Sequence, residues 1–197
     1  MMDNRRIFIA NLSKGHLGAE KANLLGSLLT SQFQLAAMRR ADTPEHLRKD
    51  FHLVIDEFQN FTTDAFAAIL SEARKYRLCL TLSHQYMDQL SPEVRKSVIG
   101  NTGSIISFRV GSTDAKILES EFGSTFRAEQ FMDLPNYEIF AKLLTNGVTR
   151  EPFRAVTYPP WAERHNRPDI LIKRSREKYG IQRALIEDKI RRWNTKR

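Results

Sequence analysis

The sequence predicts an α/β fold in which a parallel sheet is flanked by helices, with an antiparallel hairpin at the sheet edge and a basic helical tail. From residue 6 to residue 122, short apolar runs alternate with segments of helical periodicity, which is typical of β-α-β units. The dipeptide Asn146-Gly147 separates two later strand-like runs, as in a hairpin. Residues 161–197 carry 12 Lys and Arg against 5 Asp and Glu, which accounts for +7 of the total charge of +8.

The individual elements follow from local patterns. Alternating or continuous apolar runs predict strands at 6–12, 51–55, 78–82 and 104–110. The run 51–55 has the composition of a strand buried on both faces of a parallel sheet. Helical spacing and capping residues predict helices at 20–40, from Thr62 or Thr63 to Tyr76, at 91–100 with Ser91 as the cap, and at 112–122. In the first helix, the apolar face is expected to consist of Leu24, Leu25, Leu28, Leu29 and Phe33.

Composition indicates two domains, at 1–160 and 161–197, joined by a proline-rich linker. The chain has one cysteine, Cys79, in an apolar run, which favours a buried thiol in a reducing compartment. No apolar run reaches the roughly 18 residues of a membrane span, and the N-terminus lacks the apolar region of a signal peptide. We therefore expect a cytoplasmic location without direct membrane insertion.

Two adjacent carboxylates, Asp56 and Glu57, follow the apolar run "FHLVI". Ligands of parallel sheets bind beyond the carboxyl ends of the strands. An Asp there can hold Mg²⁺ through water, and a neighbouring Glu can orient or deprotonate an attacking water. A hydrophobic run followed by Asp-Glu is the Walker B pattern, although Asp56 could instead only cap the next helix.

Further residues suit the same site. Gln85 follows the strand at 78–82 and can sense a phosphate or position water. Arg74 either complements a helix dipole or reaches the phosphates of a neighbouring subunit as an arginine finger; Arg109 is a second candidate. His84 alone beside a strand end is more typical of a structural role, and the histidines show no metal-binding spacing.

The stretch "LVIDEFQNFTTDAFAAILSEARKYRLCLTLSHQYMDQL" (53–90) resembles the motor domain of the TraG/TraD conjugative coupling proteins of type IV secretion, in the HerA/FtsK branch of RecA-like ATPases. The segments "GNTGSIISFRVGSTDAKILESEFG" (100–123) and "LPNYEIFAKLLTNGVTREPF" (134–153) resemble the family's next strand and helix and its closing hairpin. The likeness extends over about residues 5–160, and it includes the region associated with recognition of a relaxosome partner of the TraM type.

The resemblance implies ATP and Mg²⁺ as cofactors, with Asp56 serving Mg²⁺, Glu57 activating water, Gln85 sensing phosphate and Arg74 acting in trans. It also implies a hexameric ring that moves DNA, peripheral at the bacterial inner membrane through other parts of the system. Alternatives are a HerA-like DNA-processing ATPase and a non-catalytic module that binds DNA or a relaxosome protein.

One departure from the family is the phosphate-binding loop, which requires a Gly-rich turn ending in Gly-Lys-Ser/Thr. No such string occurs in the chain. The sequence therefore resembles the C-terminal, Walker B half of a motor, and we expect an unpaired sheet edge at 51–55 or its neighbour. On its own, such a half is expected to bind Mg²⁺-ATP poorly.

The basic tail leaves several interpretations open. Lys and Arg interleaved with Tyr179 and Trp193 suit DNA. Apolar residues such as Leu185 and Ile190 suit docking on a partner helix. A solvated helical face or an anionic membrane surface would also account for the charge.

Overall fold

The computed structural model describes residues 2–4, 6–62, 64–160 and 166–195. In these residues the helices are α1 (Lys14–Leu17), α2 (Ala19–Met38), α3 (Asp64–Glu72), α4 (Pro92–Asn101), α5 (Ser112–Glu121), α6 (Ala128–Met132), α7 (Pro168–Tyr179) and α8 (Arg183–Thr195). The strands are β1 (Phe51–Ile55), β2 (Leu78–Leu82), β3 (Ile105–Ser107), β4 (Glu138–Lys142), β5 (Leu144–Thr145), β6 (Val148–Thr149) and β7 (Phe153–Val156). The α/β class is confirmed.

Strands β1 and β2 form a parallel pair in which Phe51 lies opposite Leu78 and Ile55 opposite Leu82. Side chains alternate across this pair: Ile55 is buried, whereas His52 and Val54 are exposed, Val54 to 69%. The expectation that 51–55 is buried on both faces is therefore wrong. A continuous apolar run indicates that both faces of a strand can be buried, but among the described residues helices cover only one face of β1.

The core beneath the covered face joins the sheet to α2, α3 and α4. Phe58 and Phe66 are at most 1% exposed and stack with ring centroids 5.8 Å apart. Val94 and Val98 of α4 complete this cluster. Burying a large apolar side chain contributes about 1.5–3 kcal/mol, so these residues fix the turn that follows β1.

A second sheet, in the order β3-β4-β7, is antiparallel. The prediction of a strand at 104–110 in the parallel sheet is wrong in both length and partner, because only Ile105–Ser107 is extended and it pairs with β4. Four aromatic rings pack together beside this sheet and favour the pairing of β3 with β4. They are Phe122, Phe126, Phe131 and Phe140, and the centroids of contacting rings lie 3.9–6.4 Å apart.

The predicted edge hairpin is confirmed. Strand β4 pairs with β7, and the intervening β5 and β6 turn at Asn146 and Gly147, whose φ angles are 52° and 77°. Two consecutive positive φ angles are the requirement of the tight hairpin turn that favours Asn-Gly.

The segment 6–12 has no regular secondary structure, so the prediction of a strand there is wrong. It makes no backbone hydrogen bond to another strand among the described residues. Ile7 and Ile9 stand in solvent, 91% and 84% exposed, whereas Phe8 packs on Phe33. Strand propensity is expressed only where a neighbouring strand offers partners, and within the described part of the chain 6–12 has none.

Helix α2 is present as predicted, and Phe33 of its predicted apolar face packs against the core, but most of the predicted leucines do not. Leu24, Leu25 and Leu28 are 43–62% exposed. The buried residues are instead small: Ala22, Gly26, Thr30 and Ala37. Helix α4 has the predicted cap, since Ser91 Oγ accepts from Val94 N at 3.4 Å and Pro92 opens the helix.

The chain divides into two compact units, Met1–Thr157 and Tyr158–Arg197. The second contains α7 and α8, separated near Gly180 as predicted. Part of the predicted linker, residues 161–165, lies outside the described residues, as does the candidate cap Thr63. Within the described residues, no helix has the length and apolar content to cross a membrane.

Candidate functional site

The candidate site lies at the carboxyl ends of β1 and β2. Because Ile55 is level with Leu82, the residues that follow the two strands meet at one end of the strand pair. Phe58 N donates to Ser83 O at 3.0 Å and ties the two connections together. This arrangement brings Asp56, Glu57 and Gln85 into one cluster, as the sequence predicts.

Asp56 is exposed and is oriented by two donors to the same oxygen. Its Oδ1 accepts from Ser83 Oγ and, at 3.1 Å, from Glu57 N. Its Oδ2 accepts no hydrogen bond among the described residues. One side of the carboxylate is therefore held by the protein, while the other is open to a ligand.

Glu57 is half-buried and both of its carboxylate oxygens are engaged. Oε1 accepts from Gln85 Nε2 at 2.8 Å, and Oε2 accepts from Gln59 Nε2 at 2.6 Å. The residue has φ 51°, in the left-handed region, which a residue with a Cβ adopts at a cost. This conformation ends β1 and begins the short 3₁₀ turn Phe58–Asn60.

The carboxylate oxygens of the cluster fit an Mg²⁺ ion that is bound through its waters, rather than an ion whose ligands are all protein atoms. Mg²⁺ usually keeps several waters and takes one or two carboxylates together with substrate phosphates. No group of three or more His, Cys, Asp or Glu capable of holding a metal occurs in the described part of the chain. The free Oδ2 of Asp56 is the group that would receive a metal-bound water.

His84 lies behind the cluster. Its ring packs edge-on against Phe58 with centroids 5.5 Å apart, and its Nδ1 is buried with no hydrogen-bond partner among the described residues. Burial lowers the pKa of His84, and the carboxylates of Asp114 and Glu57 oppose that shift. Asp114 is itself buried and accepts from Met87 N at 3.1 Å.

Arg74 is not brought to this cluster. It lies in the 3₁₀ turn Ala73–Tyr76, which precedes β2, and its side chain is exposed. Asp56 follows the far end of the neighbouring strand, so the two residues lie at opposite ends of the strand pair. Arg109 is also exposed, after β3 rather than on a buried strand, with Nη2 3.5 Å from Asn136 Oδ1.

Sequence reasoning missed two residues that position the carboxylates. Ser83 is the first residue after β2, and Gln59 lies two positions after Glu57. The signal for Ser83 was available, because parallel strands end on the same side of the sheet and the residue after β2 must face the residue after β1. Gln59 reaches Glu57 only through the left-handed turn, which the sequence does not reveal.

Comparison with known families gives one match. Residues 50–126 match a family described as the TraM recognition site of TraD and TraG. The match covers β1, β2, α5 and the candidate cluster. It confirms the resemblance to the TraG/TraD coupling proteins predicted from the sequence. No curated protein matches the chain.

Solved structures of conjugative coupling proteins share the fold. The unbound monoclinic form of the bacterial coupling protein TrwBΔN70 aligns with a TM-score of 0.53 at 15% identity, over 68% of this chain and 37% of that one. TrwB with the ATP analogue ADPNP and TrwB with the GTP analogue GDPNP each give 0.51, at 16% and 17% identity. Each covers 66% of this chain and 36% of the other. The chain thus spans little more than a third of these proteins.

Proposed function

We propose that this chain is the Walker B half of the motor domain of a conjugative coupling ATPase, which moves DNA for transfer through a type IV secretion system. The observation that carries the proposal is the cluster of Asp56, Glu57 and Gln85 at the carboxyl ends of two parallel strands. The cluster lies within the segment that matches the TraM recognition family. The likeness to coupling-protein structures supports a role in conjugation.

In the proposed site each residue has one task. Bound Mg²⁺-ATP would supply the phosphoryl group and the charge that neutralises it. Asp56 would hold a metal-bound water through Oδ2, while Ser83 fixes its other oxygen. Glu57 orients the attacking water and receives its proton. Each oxygen of Glu57 accepts one amide hydrogen bond, from Gln85 or Gln59, and has a second lone pair free for the water. Gln85 lies close enough to turn from Glu57 to a phosphate oxygen.

Arg74 has its proposed role in an assembly. Its exposed position at the opposite end of the strand pair suits a residue that reaches a neighbouring subunit's phosphates, as an arginine finger does. We accordingly propose a hexameric ring in the complete motor, with Arg74 acting in trans. We also propose that other parts of the system hold this ring at the bacterial inner membrane.

The decisive experiment measures DNA-stimulated ATP hydrolysis by the chain alone and mixed with a coupling-protein half that carries the phosphate-binding loop. We expect hydrolysis only in the mixture. Glu57→Gln should lower kcat by a factor of about 10²–10⁴ without weakening nucleotide binding, because the substitution removes the base and keeps the side-chain shape. Ser112→Ala, on the exposed start of α5, serves as the matched control. Unchanged hydrolysis in Glu57→Gln would refute the assigned role.

A second candidate function is a non-catalytic module that recognises DNA or a relaxosome protein of the TraM type. The chain contains no Gly-Lys-Ser/Thr string, and the matched family is named for TraM recognition. Binding of such a protein by the chain, with no hydrolysis in the mixture, would favour this function. A HerA-like DNA-processing ATPase would instead hydrolyse ATP without any relaxosome partner.

A further inference from the structure

The segment 6–12 runs beside β1 in the same direction. Lys49 Nζ donates to Asp3 O at 3.1 Å, before both stretches. Lys14 Nζ donates to Asn60 Oδ1 at 2.8 Å, after both stretches. The partners in each pair are 46 residues apart in sequence. The two stretches are therefore held parallel, and in the same register at both ends.

Between these anchors the two stretches do not touch through their backbones. No backbone hydrogen bond joins 6–12 to β1 among the described residues. A groove of about 1040 Å³ separates them, lined by residues of both stretches and of α2. Ile7 lines the groove and is 91% exposed.

One wall of the groove is an open strand edge. Phe51 N donates to Arg77 O at 2.9 Å, and Ile55 O accepts from Ser83 N at 3.1 Å, so these residues direct their backbone groups towards β2. Along a parallel strand, successive residues direct their N–H and C=O to opposite edges. The backbone groups of His52 and Val54 therefore face the groove, unpaired within the described residues. Such a row is a template for another strand.

The floor of the groove is apolar and holds the two walls apart. The ring of Phe33, on α2, lies 5.7 Å from Phe8 and 5.6 Å from Phe51, measured between centroids. Each wall thus rests on Phe33 rather than on the other wall. Gly26 and Thr30 of α2 continue the floor. Apolar side chains entering from above would be buried here.

We propose that the groove binds one apolar β-strand from another polypeptide segment, inserted between residues 6–12 and β1 and parallel to both. Two strand-like stretches held parallel, with their edges apart, fit a third strand better than a compact ligand. Strands in the interior of parallel sheets are continuous Val, Ile and Leu runs, which suits the floor at Phe33. The coupling-protein chains that share the fold are much longer, since this chain spans 37% of the first.

The inserted strand would also explain two differences between the structure and the sequence-based prediction. Residues 6–12 would gain a partner and become the strand that their composition predicts. The edge of β1 would be paired, as the apolar run 51–55 predicts. This inference holds whether the chain is part of a motor or a binding module, and its test does not read out nucleotide hydrolysis.

The test uses the whole chain and an acetylated, amidated peptide with a Val-Ile-Val-Ile-Val core between pairs of lysines. Amide hydrogen exchange is followed by NMR with and without the peptide. We expect the amides of His52 and Val54 to slow by about tenfold or more, whereas that of Leu53, directed towards β2, changes little. A peptide with proline at the central position cannot form the ladder and serves as the control.

Two substitutions at one position separate backbone pairing from side-chain contact. Val54→Pro removes an N–H that faces only the groove, which an edge strand tolerates, and should weaken peptide binding by about tenfold. Val54→Ala keeps that N–H and should bind within about threefold of the unsubstituted chain. If Val54→Pro does not fold, the exchange pattern of the unsubstituted chain decides alone.

Three results would overturn the proposal. Unchanged exchange at His52 and Val54 with saturating peptide would show that the edge does not accept a strand. Equal binding of the proline-containing peptide would show that contact is not through a ladder. Protection that appears without peptide and grows with chain concentration would assign the groove to a second copy of this chain instead.

Discussion

Among the individual side chains of the candidate site, the two carboxylates are notable for how they are held. Ser83, Gln59 and Gln85 donate to Asp56 and Glu57, and all three donors are neutral. None of the ion pairs among the described residues involves either carboxylate. Neutral donors fix the orientation of a carboxylate without cancelling its charge. No cationic side chain among the described residues therefore competes with a ligand for these two carboxylates.

The backbone of Glu57 indicates that this geometry is not selected for stability alone. A residue with a Cβ in the left-handed region costs about 1–2 kcal/mol, and Glu57 has φ 51°. The turn directs the side chain back towards Gln85, 28 residues away in sequence. Strain of this kind concentrates at functional sites, which agrees with the role proposed for Glu57.

His84 gives a pH-dependent prediction. Because burial lowers its folded-state pKa, the unfolded chain takes up the proton first as pH falls. The free energy of unfolding should therefore be level above the unfolded pKa, about 6.5, and should decrease below it. His84→Gln removes this titration. We expect the loss of thermal stability between pH 7.5 and pH 5.5 to be larger in the unsubstituted chain than in His84→Gln.

The remaining histidines provide the control for this experiment, since both proteins contain them. Circular dichroism melts at several pH values give the two curves. Parallel curves would contradict the assignment, because they would show that the proton taken up on unfolding belongs to another group.

Among the helices and strands, α2 illustrates packing by small residues. Gly26 faces the ring of Phe61, and a Cβ built on Gly26 would lie 2.1 Å from the Cδ1 atom of that ring. A glycine here lets the helix approach the turn after β1 closely. Leu24, Leu28 and Leu35 of α2 remain exposed because this close approach occurs on the opposite, small-residue face.

This packing predicts opposite outcomes for two helical glycines. Gly26→Ala should destabilise the chain by about 1–3 kcal/mol, the usual cost of overpacking. Gly100→Ala in α4 should stabilise it by about 0.5–1 kcal/mol, because nothing lies within 4 Å of an added Cβ. Urea unfolding of both variants measures the difference.

A rescue variant makes the cause of the loss testable. Phe61→Ala opens the space that the Cβ of Gly26→Ala requires, so the double variant should lose less stability than the two single losses combined. Additive losses would mean that Gly26 is needed for a reason other than contact with Phe61.

The same elements show what a sequence can predict here. The ends of β1 and β2 were predictable because apolar runs mark them, and parallel strand ends place Asp56, Glu57 and Gln85 together. Pairing partners were not predictable: 6–12 and 51–55 have strand composition, but whether a strand or a helix layer covers them depends on segments elsewhere. The buried face of α2 was predicted only at Phe33 and Leu29, since leucine spacing does not reveal that Gly26 permits closer packing.

Across the full chain, one compact unit carries the candidate site and another, Tyr158–Arg197, carries much of the charge. Side chains of α7 and α8 are almost all exposed. Helix α8 offsets part of its charge internally, through Arg183 with Glu187 at 2.6 Å and Arg192 with Asp188 at 2.6 Å. The cations of α7 form no ion pair with the described residues, which favours α7 as the stronger polyanion-binding element.

We therefore expect α7 to contribute most of any DNA affinity of this chain. Replacing Lys173, Arg174, Arg176 and Lys178 by Gln should weaken duplex DNA binding. It should also reduce the magnitude of the slope of log K against log[salt] by up to about 3–4, since each phosphate contact contributes about 0.9. Fluorescence anisotropy between about 50 and 200 mM salt measures both quantities.

A second variant separates the DNA interpretation from docking on a partner helix. Replacing Leu185 and Ile190 of α8 by Ser removes apolar surface that is more than half exposed and leaves the charge unchanged. If the tail binds DNA through phosphate contacts, this variant keeps its affinity and its salt slope. If the serine variant loses binding while the glutamine variant keeps it, the apolar face of α8 is the functional surface, and the partner is a protein.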